Sequence, residues 1–170
     1  MSFRVMAFGL ALIHVGAASG DTSGAAHDAV ARCTVPVRQM TGLWAQGASA
    51  DTCLHVQQLQ DGWKVCLSAP RHGGRISLCR AADVTGSVVE LKKPFDLTAA
   101  HSLHRLRAVG IKGMETLVPE ELLPDLNRAV TNDGCSALAK VADLGPVFDR
   151  PSGQREQGCR TLLGLEQRGQ

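Results

Sequence analysis

Six cysteines carry the clearest chemistry in this chain of 170 residues. Their number is even, and the sequence contains no C-x-x-C or H-x-x-x-H pair, so disulfide bonds are favoured over a zinc site. Six cysteines can pair in about fifteen ways, and sequence alone does not decide among them. We expect sequence neighbours to pair, as Cys33–Cys53, Cys66–Cys79 and Cys135–Cys159.

Two histidines and three carboxylates have the side chains for metal binding or hydrolysis. His101 and His104 stand three residues apart, a spacing that places both on one face of a helix. No third ligand is evident, so a pair on a helix surface is the better interpretation. Glu120, Glu121 and Asp125 lack a pattern that positions a substrate, and acids at a helix start explain them. We predict no catalytic residue, cofactor or metal, and a chain that is not an enzyme.

Three aromatic and three basic residues are candidates for contact with a partner protein. Rigid amphipathic side chains often anchor interfaces, and cations on a turn can face acidic receptor segments or sulfated glycans. The candidates are Trp44, Trp63, Phe148, Arg71, His72 and Arg75, with Arg80 beside the basic group. The alternatives are that the tryptophans fill a small core and that the cations form a solvated turn.

Charge is unevenly distributed along the chain. Residues 63–113 contain nine basic and three acidic side chains, whereas residues 114–170 contain six basic and nine acidic ones. Nucleic-acid binding would favour clustered Arg and Lys interleaved with aromatic residues, and tyrosine is absent here. A basic centre beside an acidic end predicts complementary protein surfaces, and an ordinary solvated surface is the alternative.

The N-terminal residues have the pattern of a secretory signal. Arg4 precedes an apolar run over residues 5–15, and small residues follow at 16–20. A run of about eleven apolar residues is too short to span a bilayer. We predict a signal peptide over residues 1–20, a flexible arm over 21–32, and export through the endoplasmic reticulum, with membrane contact only through partners.

The elements that position these residues begin with a hairpin over residues 53–70. Apolar residues alternate on both sides of Asp61 and Gly62, and the second run starts at Trp63. Asp-Gly suits a two-residue turn between antiparallel strands, so this stretch predicts a β-hairpin with one cysteine on each arm. A second turn with a basic rim is expected at residues 71–75.

The other segments predict a mixture of helix, loop and strand. Apolar residues recur at helical spacing over residues 94–113, which predicts a helix. Residues 118–134 are ambiguous, because helix-start signals at Pro119 precede a helix breaker at Pro124. The remaining expectations are a loop at 40–50, helix or strand at 76–93, a helical run at 135–144, a polar loop at 150–158 and a loose or briefly helical tail at 160–170.

Residues 33–93 resemble a chemokine-type module. In that family a D-G or N-G hairpin leads into a K-x-C-L run that ends at a proline, and here Asp61 and Gly62 lead into KVCLSAP at 64–70. A module of about 60 residues buries too little apolar surface to fold alone, so disulfides must constrain it. Cys33 is the single cysteine at the N-terminal position, which is similar to the single-cysteine class.

The second half resembles the chemokine-like accessory subunits of the cytomegalovirus (betaherpesvirus) envelope pentamer. The runs that carry this resemblance are LVP at 117–119, LL at 122–123, AV at 129–130, NDG at 132–134 and VFDR at 147–150. Total length, the signal pattern and the late pair Cys135 and Cys159 agree with the subunit that has a single N-terminal cysteine and a β-rich extension. Cys66 and Cys79 are additional, and the glycan sites and tyrosines of such subunits are missing.

The resemblance implies an α+β fold: a small disulfide-stapled chemokine-like module, with a short antiparallel sheet plus helix, followed by a C-terminal extension of mixed strands and helix. The module and its helix would span residues 33–113, and the extension residues 114–170. The family analogy favours strands at 118–134. It also offers a rival pairing, Cys33–Cys66, which leaves Cys53 for Cys79 or for an intermolecular bond.

The resemblance also implies a non-enzymatic adaptor in a virion envelope complex. Its expected partners are viral glycoproteins H and L, sister accessory subunits and a host cell-surface receptor, and the complex would carry the virus into epithelial, endothelial and myeloid cells. The alternatives are a free chemokine mimic that acts on leukocyte receptors, and a small secreted metal-dependent enzyme that uses His101 and His104. No nucleic-acid partner is expected.

Overall fold

The computed structural model describes residues 29–33, 39–98, 101–111 and 114–166. Eight antiparallel strands follow one another around a closed barrel, and the last strand pairs with the first. They are β1 (Gly42–Gln46), β2 (Thr52–Leu59), β3 (Gly62–Arg71), β4 (Gly74–Thr85), β5 (Val88–Thr98), β6 (His101–Ile111), β7 (Met114–Pro119) and β8 (Phe148–Asp149).

Helical segments lie outside the barrel wall. A 3-10 turn (Glu120–Leu122) leads into helix α1 (Leu123–Asp133), which a 3-10 helix (Gly134–Leu144) follows. Helix α2 (Gln154–Leu162) comes after β8, and residues 29–33 are also helical. The segments between β7 and β8 therefore form one helical layer, and α2 forms another.

The predicted fold class, a chemokine-like sheet plus helix, is wrong. The barrel takes in both expected units, since residues 94–98 are the end of β5, residues 101–111 are β6, and the expected boundary at 113/114 falls between neighbouring strands. The helix predicted at 94–113 is wrong for the same reason. The expected signal peptide and residues 21–28 of the expected arm lie outside the described residues.

The predicted hairpin at 53–70 is confirmed as β2 and β3. Its two-residue turn is Gln60 and Asp61, one residue earlier than expected, and Gly62 follows with φ 144°. Gly62 is therefore needed for its positive φ, although it lies inside the ladder rather than in the turn. Residues 76–93, left open between helix and strand, are β4 and β5.

Three local expectations also need correction. The loop expected at 40–50 contains β1, whose residues 43–45 are buried on both faces and so show no alternation. The segment 118–134 is helical from Glu120 onward rather than extended, because Pro124 occupies the first turn of α1, where no backbone donor is required. The polar loop expected at 150–158 contains the start of α2.

The barrel interior is filled with side chains. Trp44, Phe95 and Phe148 are the largest fully buried ones, and aliphatic residues from six of the strands pack around them. The buried members are Met40, Trp44, Leu54, Val56, Val65, Leu67, Ala69, Ala82, Val89, Leu91, Phe95, Leu103, Leu106, Ala108, Leu117 and Phe148. An eight-stranded barrel is just wide enough for side chains to fill.

Two smaller apolar clusters fix the helical layers to the outside of the wall. Leu123, Leu126 and Val130 of α1 pack with Val109 and Val118 from β6 and β7. The segment after β8 covers β1 and β2, where its partly buried leucines pack against Leu43, Ala45, Ala50, Cys53 and Cys159. Both faces of β1 are thus buried, which removes the period-2 signal from its sequence.

All six cysteines form disulfides, but two of the three expected pairs are wrong. The bonds are Cys33–Cys135, Cys53–Cys159 and Cys66–Cys79. Cys66–Cys79 is as expected, whereas the other two span 102 and 106 residues. Cys33–Cys135 joins two helical segments, and Cys53–Cys159 ties α2 to β2. The rival pairing Cys33–Cys66 is also wrong.

One end of the barrel is closed by Arg150. Its guanidinium stacks 3.6 Å from the Trp44 ring, and its Nε donates to Glu115 Oε2 at 2.8 Å. Its Nη1 donates to the Thr41 carbonyl at 2.8 Å, and its Nη2 donates to the Gln39 carbonyl. Arg150 directly follows β8, and its planar cation thus joins β1, β7 and the residues just before β1.

Candidate protein-binding surface

The aromatic interface candidates lie in or against the core. Trp44 and Phe148 have no exposed surface, and the Trp44 Nε1 donates to the Met40 carbonyl at 3.1 Å. Trp63 is partly buried and packs against the same cluster. The fold therefore gives Trp44 and Phe148 a packing role. The alternative for Trp44 and Trp63, that they fill the core, matches where both lie.

The basic candidates, in contrast, lie on one β-hairpin, where Arg75 and Arg80 belong to opposite faces of β4. Residues 62–82 carry Lys64, Arg71, Arg75 and Arg80 together with His72, and they contain no Asp or Glu. We call this stretch, β3 and most of β4, the basic hairpin. Such a local excess of cations attracts acidic groups of a partner and repels a second basic surface.

Arg71 and His72 lie exposed at the turn of the basic hairpin. They line an open depression of about 650 Å³, which Asp96, Leu97 and Thr98 from the end of β5 complete. Mouths of barrels are common ligand sites. This one combines two basic side chains, one carboxylate and the apolar Leu97 side chain at the rim.

Arg75 and Arg80 have different roles within the hairpin. Arg75 donates from Nη1 and Nη2 to the Asp51 carbonyl at 2.7 and 2.5 Å, which ties the hairpin to the β1–β2 loop. The Arg80 guanidinium lies 5.8 Å from the centre of the Phe95 ring. Its Nε is buried and has no hydrogen-bond partner among the described residues, so part of this cation is left unsatisfied.

Two thirds of β4 lacks a partner strand on one side among the described residues. The β4–β5 ladder runs only from Ala82–Leu91 to Thr85–Val88, so residues 74–81 pair with β3 alone within the described part of the chain. None of these eight residues is buried. We call residues 74–81 the free edge of β4.

Pro94 prevents the β4–β5 ladder, which ends at Ala82–Leu91, from extending as far as Cys79. If the observed β4–β5 register continued, Pro94 would lie opposite Cys79 in a hydrogen-bonded pair. Proline has no N–H to donate there, so the ladder cannot propagate. The Cys79 carbonyl instead receives a long contact of 3.4 Å from Arg80 Nη1.

The Cys66–Cys79 disulfide holds the free edge against β3. The two cysteines lie directly opposite each other, with Cα atoms 3.9 Å apart. The bond joins β3 to the part of β4 that β5 does not support, so the strand remains extended without a second neighbour. A strand held this way has lost conformational entropy before any partner arrives.

A second open site surrounds His55 on the other side of β2. Its lining includes Leu43, Glu156 and Arg160 in a depression of about 440 Å³. Burial, and then the charges of Arg160 and Lys64, lower the pKa of His55 below its ordinary value. Its Nδ1 has no hydrogen-bond partner among the described residues.

An apolar groove of about 600 Å³ runs between the helical layers on the β7–β8 side. Met114, Leu138, Val141 and Val147 supply most of its lining. Its polar rim is the ion pair of Arg155 with Asp149, 2.6 Å apart. Met114 is 61% exposed, which is unusual for so large an apolar side chain.

The acidic candidates are surface and helix-start groups. Glu120 forms ion pairs with Arg105 at 3.2 Å and Arg107 at 2.7 Å, and Asp125 pairs with Arg128. His104 is exposed on β6, and the side chain of His101 lies outside the described atoms. Among the described residues, no three His, Cys, Asp or Glu side chains are grouped so that they could hold a metal ion.

The sequence interpretation missed the free edge and the Arg150 contacts. Pro94 was the available signal for the free edge, because a proline after a β-compatible run marks an interrupted or edge strand. We assigned it instead to a helix start. Nothing in the residues around Arg150 indicates that it meets Trp44, which lies about a hundred positions earlier.

No helix in the described ranges is long and apolar enough to cross a membrane. Comparisons with protein-family models, with curated proteins and with solved structures found no match.

Proposed function

We propose that this chain is an exported, non-enzymatic binding protein that captures an acidic segment of a partner protein on its basic hairpin. The single observation that carries the proposal is the stretch 62–82, which presents four Lys and Arg side chains and no carboxylate. Complementary charge of this kind speeds association and excludes partners of like charge.

Three further features support a binding protein of the secretory pathway. Three disulfides staple the fold, which is typical of proteins from oxidising compartments. The barrel interior is filled by its own side chains, so recognition is expected on the outer surface. The signal pattern at residues 1–20 is consistent with export.

The narrower role implied by the viral resemblance remains a prediction. It relied on a chemokine-type module at residues 33–93, and that stretch contributes to a closed barrel instead. Co-expression with glycoproteins H and L is its direct test. The chemokine mimic and the metal-dependent enzyme likewise remain predictions, and no geometric feature described above favours either.

The proposal is tested by selection of random peptides displayed on phage against the purified, oxidised protein. We expect the enriched sequences to be rich in Asp and Glu, and their binding to weaken as salt is added. The double variant Arg71→Glu, Arg80→Glu should lose binding at least about tenfold, since two attractive charges become repulsive. Arg128→Glu is the matched control, because Arg128 is 73% exposed on α1.

Two results would contradict this function. One is enrichment of peptides without an acidic excess. The other is equal binding by the double variant and by Arg128→Glu. Retention on heparin without any peptide enrichment would identify a sulfated glycan in place of a protein.

A further inference from the structure

We infer that the free edge of β4 binds its acidic partner by strand addition, with the partner segment running antiparallel to residues 74–81 as an extra strand. The inference rests on the proposed function and specifies how that site works. In strand addition, main-chain hydrogen bonds supply affinity and alternate side chains supply specificity.

The alternation of hydrogen bonds shows which groups of the edge are available. The two-residue turn at His72 and Gly73 joins Arg71 to Gly74, so even-numbered residues of β4 bond to β3. The turn at Gly86 and Ser87 joins Thr85 to Val88, so odd-numbered residues bond toward the β5 side. Both hairpins agree. The free edge therefore offers the N–H and C=O groups of Arg75, Ser77, Cys79 and Ala81, with the Cys79 carbonyl also in its long contact of 3.4 Å with Arg80 Nη1.

Side chains along the edge define the chemistry of the added strand. Ile76 and Leu78 are inward-facing and only partly buried, and both pack against the edge of the core. Residues of the added strand opposite them would cover this apolar surface. Arg80 follows on the same face with its Nε unsatisfied, so an acidic residue is expected opposite it.

A second copy of this chain fits the edge less well. Pairing of two β4 edges would place two basic hairpins side by side, and neither contains a carboxylate between residues 62 and 82. On the neighbouring part of β5, Lys92 and Lys93 are exposed and add two positive charges. The ion pair between Lys92 and Asp83 neutralises one of these charges. Like charges in register destabilise strand pairs. The occupant is accordingly an acidic, extended segment of another protein.

The natural edge protections support this interpretation. Closed barrels remove edges, and proteins usually blunt those that remain with bulges, charges or proline. Here proline lies on β5, at Pro94, rather than on β4, so it keeps the edge open instead of blocking it. The disulfide between Cys66 and Cys79 keeps the same segment extended.

The test uses an acetylated and amidated peptide of sequence Thr-Glu-Thr-Val-Thr-Val-Glu. Its second residue is designed to lie opposite Arg80, its two valines opposite Leu78 and Ile76, and its last residue opposite Arg75. Binding is measured by calorimetry with the oxidised full chain. The sequence control is a peptide of the same composition in which residues designed for the even-numbered positions occupy odd-numbered positions, and the reverse.

N-methylation of the peptide separates strand addition from simple charge attraction without changing the protein. Methyl groups at the four positions opposite Arg75, Ser77, Cys79 and Ala81 should each weaken binding by about thirtyfold, equivalent to about 2 kcal/mol. Methyl groups at the three intervening positions should have little effect, because those N–H groups point away from β4. The inference would be overturned if methyl groups at the four facing positions and at the three intervening positions weakened binding equally.

Two protein variants give an independent readout. Ser77→Pro removes an N–H that faces the free side, so it should leave pairing with β3 intact and weaken peptide binding by about thirtyfold. The Ser77→Ala variant should bind the peptide like the original chain. Pro94→Val restores a donor opposite Cys79, lets β5 extend along β4 and should also weaken binding. Near-ultraviolet circular dichroism and the mass of the oxidised chain verify that each variant is folded.

The outcomes distinguish the two proposals. If acidic peptides bind in a salt-dependent way but Ser77→Pro and the methylated peptides bind normally, strand addition is refuted and the basic-surface function stands. If acidic peptides, including this one, fail to bind the original chain, both proposals are refuted. If the chain dimerises and Ser77→Pro abolishes the dimer, the edge pairs with a second copy and the acidic-partner inference is wrong.

Discussion

Replacement of Arg150 by alanine tests whether one cation holds the closed end of the barrel. The change removes the ion pair with Glu115, whose side chains are 28% and 34% exposed, and this pair is worth at most about 1 kcal/mol. It also removes donation to the carbonyls of Thr41 and Gln39 and the stacking on Trp44. Hydrogen bonds from a charged group contribute about 1.5–3 kcal/mol each, and cation–π stacking about 0.5–2 kcal/mol.

These contributions overlap, because water can reach the freed carbonyls and the groups act as one network. We therefore expect Arg150→Ala to lower the free energy of unfolding by about 3 kcal/mol. Arg150→Lys should lower it by about 2 kcal/mol, since lysine keeps the charge but lacks the planar fork that serves three partners. The measurement is urea denaturation of the oxidised chain, followed by tryptophan fluorescence and circular dichroism.

The matched control is Arg128→Ala on α1. Arg128 pairs with Asp125 at 3.1 Å, but its side chain is 73% exposed, so its loss should change stability by less than about 0.5 kcal/mol. A loss for Arg150→Ala no larger than that of this control would refute the argument. It would mean that the packing of Trp44 and Phe148 closes the barrel without the cation.

Two further predictions concern the disulfides and His55. Removal of the Cys53–Cys159 bond by paired alanine substitutions should cost about 1.9 kcal/mol more in urea denaturation than removal of Cys66–Cys79, because the loops differ in length, 106 against 13 residues; equal losses would refute this chain-entropy argument. Burial and the cations Arg160 and Lys64 lower the pKa of His55 in the folded chain, so the unfolded chain binds the proton more readily, and stability should fall as pH falls below about 6.5. His55→Gln should reduce this fall between about pH 7.5 and about pH 5.5, and an unchanged pH dependence would show that His55 is not its source.

The β2–β3 hairpin could be predicted because its pattern is local. Leu54, Val56, Val65 and Leu67 face the interior at period 2, and the turn residues between the arms suit a tight reversal. The disulfide Cys66–Cys79 was predicted because its cysteines are sequence neighbours, 13 residues apart. Information about these contacts lies within about twenty residues of sequence.

The false helix at 94–113 has a physical origin in strand irregularity. Leu103 and Leu106 both point into the barrel although they are three residues apart. The β5–β6 register shifts between Glu90 and Phe95, so the inward-facing positions of β6 change from odd-numbered to even-numbered residues. Val109 then faces outward and is buried under α1. An apolar spacing of three thus arises in a strand and imitates a helix.

The longer connections were beyond local reasoning. Cys33–Cys135 and Cys53–Cys159 depend on where the outer helices dock on the finished barrel, and the sequence around each cysteine carries no record of that docking. The basic character of the candidate surface was visible in Arg71 and His72. Its free edge was not, because the interpretation of Pro94 required the register of β4 and β5.

Closure of the barrel by β8 has a consequence for how the molecule matures. Within the part of the chain that the structure describes, only Phe148 and Asp149 bridge β7 and β1, and their β1 partners, Gln46 and Ala45, precede them by about a hundred residues. As the nascent chain leaves the ribosome, β1 therefore waits with an open flank until almost everything else has been synthesised. Such non-local pairing makes the last folding step slow. Chaperones and oxidoreductases would therefore bind an incomplete barrel. Misassembly remains possible until Phe148 and Asp149 pair and close it.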